Sequence, residues 1–488
     1  MPWLTKSRFT SGLQCRKRLW NEVHVPLEAG AADSVAFING RAIDRLVQTL
    51  NPGTVISRDK GMPAAIAETA RIMATQNPAV LYQPAFRAGD FAVIADVLRR
   101  SGHHATLIEV KSSTGVKPVH IPDVGFQTLV LRNARVPVDR MVLAHVDSQF
   151  VLRRLGNYDG LITEQDVTGE VEAELPAIAE AAAMLQEVIA SPIRPVVPMG
   201  PQCTDPYECP FIARCTLERG AVPEFPISLL PRGGGTLESL LAAGYVELAQ
   251  VPGELLSAQV HQRVHQATVS GVAYFDAPAT AALRELGCPR AYLDFETIGL
   301  AVPEIIGTRA YQQLPFQFSL HVERSALQVD HMEYLAIESF GDFKAMGDAL
   351  LAAVPGCGPV FAYNAPFERR VLRDLAGRLP ELAAGLDQVA ERVVDLLPVT
   401  RAAYYHRDMR GSWSLKAVLP TIAPNLDYQQ LAEVQEAGGA QLAFMLLRAG
   451  NLPVTRQEAL RTALLQYCKR DSWALVLLRR FLCGEAMN

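Results

Sequence analysis

The sequence predicts two α/β domains joined by a helical connector. Three observations carry this: the length, two separate sets of strand-like runs mixed with helical stretches, and a proline- and glycine-rich break between them. At 488 residues the chain exceeds the roughly 250–300 residues that one hydrophobic core serves, so two cores are expected. Hydrophobic residues make up 49% and charged residues 20%, enough apolar material to fill both, and no low-complexity tract points to extended disorder.

In the front part, Phe91 to Leu98 and Thr106 to Val110 read as strands. Arg99 to His104, containing Ser101-Gly102, separates them, so the two form a hairpin. A helix from about Glu170 to Ala190 leads into Ser191-Pro192-Ile193-Arg194-Pro195 and a three-cysteine segment. Pro223, Pro226, Pro231 and Gly233-Gly234-Gly235 then mark the break. Residues from about Thr236 to Gly287 read as helical. Within them, Leu237 to Leu248 is similar to a helix-hairpin-helix unit that binds backbone phosphates, and a plain helix pair between domains fits the same pattern. The back part opens on the strand Ala291 to Thr297 and ends on an amphipathic helix from about Arg456 to Phe481. The division is therefore 1–222, 223–287 and 288–488.

A formal charge of −5 and a pI near 6.1 argue against a protein coated in positive charge for indiscriminate nucleic-acid binding. A local basic groove is compatible with both values. The first twenty residues hold Lys6, Arg8, Arg16, Lys17 and Arg18 and no acid, a cluster that either meets phosphates or is a solvated terminal helix. No apolar run near Met1 resembles a signal peptide, and the stretch from Leu350 to Phe361 is broken by Pro355, Gly356, Gly358 and Pro359. A cytoplasmic protein without a membrane partner is expected. Eight cysteines in that setting are reduced, so clustered ones are metal-ligand candidates before they are disulfides. Cys203, Cys209 and Cys215 recur every six residues beside prolines and read as a metal clasp.

Two sets of residues suggest phosphodiester chemistry. At the front, Glu109 and Lys111 sit two apart on a strand and share a face, with Ile108 and Val110 turned to the core and Asp96 near Glu109 across the hairpin. Hard carboxylate oxygens hold Mg²⁺ or Mn²⁺, and a lysine stabilises charge growing on phosphate. Alone, such a pair is more often solvated surface charge. At the back, Asp294 and Glu296 leave one face of a strand, while Tyr467 and Asp471 are four apart and stack on one face of the final helix. Two-metal hydrolysis needs several converging carboxylates, and a phenol can orient the attacking water.

With these motifs together, resemblances emerge. Asp96, Glu109-Val110-Lys111 and Gln127 resemble the PD-(D/E)XK core of RecB-like nucleases, in the branch of iron–sulfur exonucleases associated with CRISPR adaptation. The resemblance implies that Gln127 positions substrate or water. It implies a ligand role for Asp44, on an early helix, where that branch has a histidine. It also implies that Cys15, Cys203, Cys209 and Cys215 hold a 4Fe–4S cluster, with Zn²⁺ as the chemical alternative for the same four thiolates. Asp294-Phe295-Glu296-Thr297, Tyr363 to Glu368, and Tyr467 to Asp471 resemble the three motifs of the DEDDy exonucleases, which are DnaQ-like with an RNase H-like fold. Glu368 stands where that family has aspartate, and Asp395 is the reserve candidate. The whole chain resembles a bacterial family joining both modules, through segments that include Gly411 to Lys416.

The expectation is thus a PD-(D/E)XK nuclease domain plus an RNase H-like exonuclease domain: an Mg²⁺- or Mn²⁺-dependent deoxyribonuclease that trims single-stranded ends, in repair, defence or mobile-element processing. The resemblance supplies 3′ to 5′ polarity for the back site. The alternatives are a nucleic-acid-binding or assembly protein with one or both sites inactive, and an RNA exonuclease. His406 and His103-His104 are expected in loops rather than as ligands.

Overall fold

A computed structural model of the protein describes residues 2–25, 34–75, 79–218, 223–325, 327–426, 428–431 and 433–487. The chain is a mixed α/β protein in two compact units, residues 1–220 with 299–312, and residues 221–298 with 313–488. The boundary at 222/223 lies outside the described residues. The connector 223–287 clusters with the second unit, and 299–312, expected in the back domain, belongs to the first. The backbone there has its partners in that unit: Asn39 Nδ2 donates to Gly299 O at 3.3 Å and its Oδ1 accepts from Ala301 N at 3.0 Å. Ala301 and Ala310 pack in one cluster with Ile43, Ile108 and Val110. Buried polar backbone needs such pairing.

The first unit is built on a six-stranded mixed sheet, in the order Thr54–Val55, Val80–Tyr82, Val97–Ser101, His104–Lys111, Val138–Val146, Ile162–Asp166. The expected hairpin forms with Val97 opposite Ile108 and Ser101 opposite His104. The run from Phe91 to Leu98, however, is two strands. Phe91–Ile94 pairs with Leu4–Thr5 and Ala85–Ala88 in a separate sheet, and Val97–Ser101 joins the large one. Asp96 lies at the break. A strand cannot serve two sheets without a bend, and the bend turns Asp96 Oδ2 onto Val110 N at 2.9 Å.

Alternation along His104–Lys111 divides the core. Leu107 joins the cluster containing Phe9, Phe126 and Leu185, whereas Ile108 and Val110 join the one containing Ile43 and Leu46 on the opposite face. The parallel crossover to Val138–Val146 runs through the helix His120–Asn133, most of whose residues are buried. Gly125 permits this depth, since a Cβ there would lie 2.2 Å from Ile178 Cδ1 on the helix Thr168–Ala190.

The second unit carries a five-stranded sheet in the order Gln328–Leu335, Gln313–Ser325, Arg290–Gly299, Val360–Ala362, Val393–Asp395. The last three run parallel, and the final helix spans Val454–Cys483. The connector is less uniformly helical than its sequence suggests. It contains helices Gly234–Ala242 and Gln259–Ser270, with 3-10 turns at Leu248–Gln250 and Gly253–Leu255 between them. Its strand Tyr274–Phe275 pairs with Tyr404–Tyr405. No helix of the described residues is long and apolar enough to cross a membrane.

Candidate metal and phosphodiester sites

In the first unit, Lys6, Asp96, Glu109, Lys111, Asp123 and Gln127 converge. Glu109 is 1% exposed and fully engaged: Lys6 Nζ donates to Oε1 at 2.7 Å, Lys111 Nζ to the same oxygen at 2.6 Å, and Gln127 Nε2 to Oε2 at 2.8 Å. Lys111 also donates to Asp123 Oδ2 at 2.5 Å. Lys6 is brought in by the helix Lys6–Gln14, where Phe9, three residues on, stacks on Phe126 at 4.5 Å beside Gln127.

Charge balance decides each group's protonation. Burial alone would raise the Glu109 carboxyl, but Lys6 and Lys111 overturn it and hold the acid well below its usual range. Asp96 goes the other way, pushed up to about 8 by burial and by Glu109. Burial, followed by Glu109, also raises Asp44 on the helix Val35–Leu50 and Asp123. Burial disfavours the charge on Lys6 and Lys111, yet the surrounding acids raise both.

The four cysteines named from sequence line one small cavity of about 20 Å³. Cys15 is the extended residue between the helices Lys6–Gln14 and Arg16–His24, Cys209 N donates to Cys203 O at 2.8 Å, and Cys215 lies on the helix Ile212–Glu218. All four are free thiols. Burial raises the Cys209 thiol, as does the proximity of Cys15 and Cys215. The four residues line one cavity, while among the described residues the only group of three or more ligand atoms lying within 4.8 Å of one another is that of Asp294, Glu296 and Asp471.

In the second unit, Asp294, Glu296 and Asp471 place ligand oxygens within 4.8 Å of one another, a group of three that can hold a metal ion. Glu296 and Asp471 are buried and Asp294 is half-buried. Burial and then mutual repulsion raise Asp294 and Glu296 well above their usual range, and burial pushes Asp471 up to about 6. Tyr428 donates to Asp471 Oδ1, and Tyr467 hydrogen-bonds the same carboxyl. Lys416 faces the group: its Nζ lies 4.9 Å from the Tyr467 ring centre and 5.4 Å from that of Tyr428, and donates to Gln435 O at 2.8 Å. Its charge opposes the rise at Glu296 and Asp471. Cys468 sets its sulfur 3.5 Å from Asp294 Oδ2.

Glu368 and Asp395 differ. Glu368 is buried, its Oε2 has no hydrogen-bond partner, and burial pushes its carboxyl up to about 8, with its charge felt by Asp294 and Glu296. Asp395 caps the helix Leu396–Ala403, its Oδ1 accepting from Leu397 N and Asn364 N at 3.0 Å each. Asp395 is thus committed to the backbone, whereas Glu368 keeps an oxygen without a hydrogen-bond partner and lies outside the group whose ligand atoms are within 4.8 Å of one another. His406 precedes a 3-10 turn and His103 lies in the hairpin turn. His104 begins a strand, exposed, and pairs with Asp139.

Sequence reasoning did not single out Lys6, Asp123, Lys416, Tyr428 or Cys468 as site residues. Asp123 was within reach, since it lies four before Gln127 on one helix face. Lys6 and Lys416 stood in segments noted for other reasons, and nothing local marks Tyr428.

The family model of a domain of unknown function, DUF2779, matches residues 291–414. That span contains Asp294, Glu296, Glu368 and Asp395 and stops short of Lys416, Tyr467 and Asp471. No curated protein matches the chain. Among solved structures, one described as "Crystal structure of SSO0001" is 13% identical, covering 38% of this chain and 77% of that one, with a TM-score of 0.17.

Proposed function

We propose that the chain is a cytoplasmic, metal-dependent nuclease with two separate phosphodiesterase sites, acting on DNA and trimming single-stranded ends. In this reading the first unit is a PD-(D/E)XK-type nuclease. The second is a DEDDy-type exonuclease of RNase H-like fold.

The observation that carries the reading is the group Asp294, Glu296 and Asp471, three converging carboxylates raised by burial and mutual repulsion. Such a group is costly in a folded protein unless protons or a cation neutralise it. Its all-oxygen donor set fits Mg²⁺ or Mn²⁺, and the unpartnered Glu368 Oε2 supplies a further hard donor. A bound ion of this kind polarises the phosphodiester and lowers the pKa of coordinated water.

The surrounding residues have complementary roles. Burial first, then the charge of Asp471, raises the Tyr467 phenol far above neutrality. Tyr467 therefore keeps its proton, donates it to the Asp471 carboxyl, and orients the attacking water by accepting from it with its phenol oxygen. Lys416 meets negative charge as the bond breaks. In the first unit, Asp44, Asp96 and Glu109 would hold the ion only after rearrangement, since among the described residues the only group of three or more ligand atoms within 4.8 Å of one another is that of the second unit and two ammonium groups occupy Glu109 Oε1. Lys111 stays charged beside it for the scissile phosphate, and Gln127 fixes the Glu109 carboxylate. The four cysteines would bind a 4Fe–4S cluster, or Zn²⁺, as a staple between Cys15 and the segment 203–215.

A second reading, in which the front site binds nucleic acid without cutting it, draws on one observation: two ammonium groups already occupy Glu109 Oε1. Cleavage of labelled single- and double-stranded DNA and RNA, side by side with Mg²⁺ and with Mn²⁺, tests the proposal. Substrates left intact under all conditions overturn it, and cutting confined to RNA overturns the choice of polymer.

A further inference from the structure

The second unit contains a cavity of about 760 Å³ to which the cutting chemistry assigns no role. Arg232 of the connector lines it, together with Tyr363, Asn364, Arg401, Ser412 and Ser414, and no Asp or Glu is among its lining residues. Both arginines are exposed, and neither guanidinium makes a hydrogen bond or ion pair with a described residue. Two uncompensated cations facing one cavity with serine and asparagine side chains make an anion site of more than one contact.

Its place ties it to the acidic group. The strand Val360–Ala362 runs parallel to Arg290–Gly299 with Phe361 opposite Tyr292, so Tyr363 and Asn364 leave the sheet at the level of Asp294. Ser414 and Leu415, also in the lining, lead directly to Lys416. The backbone is also held in unusual conformations around the cavity. Arg232 and Asn364 have φ of 52° and 67°, left-handed values that arginine in particular rarely adopts. Such conformations persist where the surroundings fix them, and they gather at ligand sites. Gly411, at φ 79°, lets the Ser412–Ser414 turn close on the connector, because a Cβ there would lie 2.0 Å from Leu229 O.

We propose that this cavity holds the backbone of the single nucleic-acid strand whose end lies at Asp294, Glu296 and Asp471, with Arg232 and Arg401 each meeting a phosphate. The inference rests on the nuclease reading of that group. It adds that the connector forms part of the strand's track, so binding extends beyond the cut bond.

The test is fluorescence anisotropy of a short labelled oligothymidylate with the full chain in EDTA, across a salt series. Wild type is compared with the Arg232→Ala/Arg401→Ala double variant and the Arg232→Lys/Arg401→Lys double variant. The alanine pair is expected to weaken binding and to make log affinity against log salt shallower by about 0.7 per arginine, while the lysine pair keeps the wild-type slope. Coincident melting curves establish that the variants are folded, and the lysine pair carries the comparison if the alanine pair is not. An unchanged slope in the alanine pair, or a slope lost equally in the lysine pair, overturns the inference while leaving the cutting reaction intact. A wild-type chain that cuts neither DNA nor RNA with Mg²⁺ or Mn²⁺ overturns the nuclease reading instead. A wild type that does not bind the strand removes this inference too.

Discussion

Lys6 and Glu109 are 103 residues apart in sequence and 2.7 Å apart in space, ammonium to Oε1. With Lys111 on the same oxygen, Lys6 makes a pair of cations that offsets the acids Asp44, Asp96, Glu109 and Asp123. Replacing Lys6 by methionine should destabilise the metal-free protein by about 2 kcal/mol. That is below the roughly 3–5 kcal/mol of a fully buried pair, because the Lys6 side chain keeps 27% exposure. If the ammonium competes with a cation for these oxygens, Mn²⁺ will raise the melting temperature of the variant more than that of wild type. Equal shifts in thermal scans with EDTA and with Mn²⁺ would show no competition.

The acids of the second unit predict a pH response with a definite sign. Asp471 is raised to about 6 and Glu368 to about 8, and Asp294 and Glu296 are raised strongly. Unfolded, such groups lose their protons near pH 4. Above that the folded, metal-free chain binds more protons than the unfolded one, and stability falls as pH rises towards the folded values. The buried histidines His120 and His321 and the half-buried His331, lowered to about 4, about 3 and about 4 by burial first, have the opposite slope, but only below about 6.5. Between about pH 6.5 and 8 the melting temperature in EDTA should therefore fall, and saturating Mn²⁺ should flatten the decline. Asp294→Asn should raise the metal-free melting temperature at pH 8 and abolish the Mn²⁺ effect of that site. A melting temperature that climbs across this window in EDTA would contradict the assignment.

Glu368 and Asp395 separate by their hydrogen bonds. Glu368→Gln keeps the shape and removes the charge, so back-site cutting should drop by about 10- to 100-fold with little loss of stability. Asp395→Ala removes a cap on Leu397 N and should cost about 1 kcal/mol, with cutting changed far less. The reverse pattern, read from cleavage rates and melting curves of both variants, would make Asp395 the ligand.

What was legible in the sequence was what local spacing encodes. Glu109 with Lys111, Asp294 with Glu296, and Tyr467 with Asp471 are pairs whose faces follow from periods of two and 3.6. Three other features arise from packing between distant segments. Asp96 sits where one apolar run divides between two sheets. Residues 299–312 join the first unit because Asn39 and the Ile43 cluster receive them. Tyr428 reaches Asp471 from a 3-10 turn with no periodic signal. Lys6 read as part of a basic terminus because the acids that act on it most, Asp96, Glu109 and Asp123, belong to distant segments of the chain.

The cysteine cavity makes a spectroscopic prediction. Protein purified without oxygen should carry iron and sulfide in equal amounts with a broad visible absorption, and Cys209→Ser should lose both and melt at a lower temperature. Zinc without sulfide would identify the alternative occupant of the same four thiols. Neither metal would contradict the clasp.

The claim of two separate sites is tested most directly by cleavage of end-labelled single-stranded DNA with Mn²⁺, comparing wild type, Lys111→Ala, Asp294→Ala and the double variant. Each single variant should keep the products of the other site, with stepwise shortening from the 3′ end surviving in Lys111→Ala and vanishing in Asp294→Ala. The double variant should leave the DNA intact. Cutting that persists in the double variant, or that either single variant abolishes completely, would contradict the account.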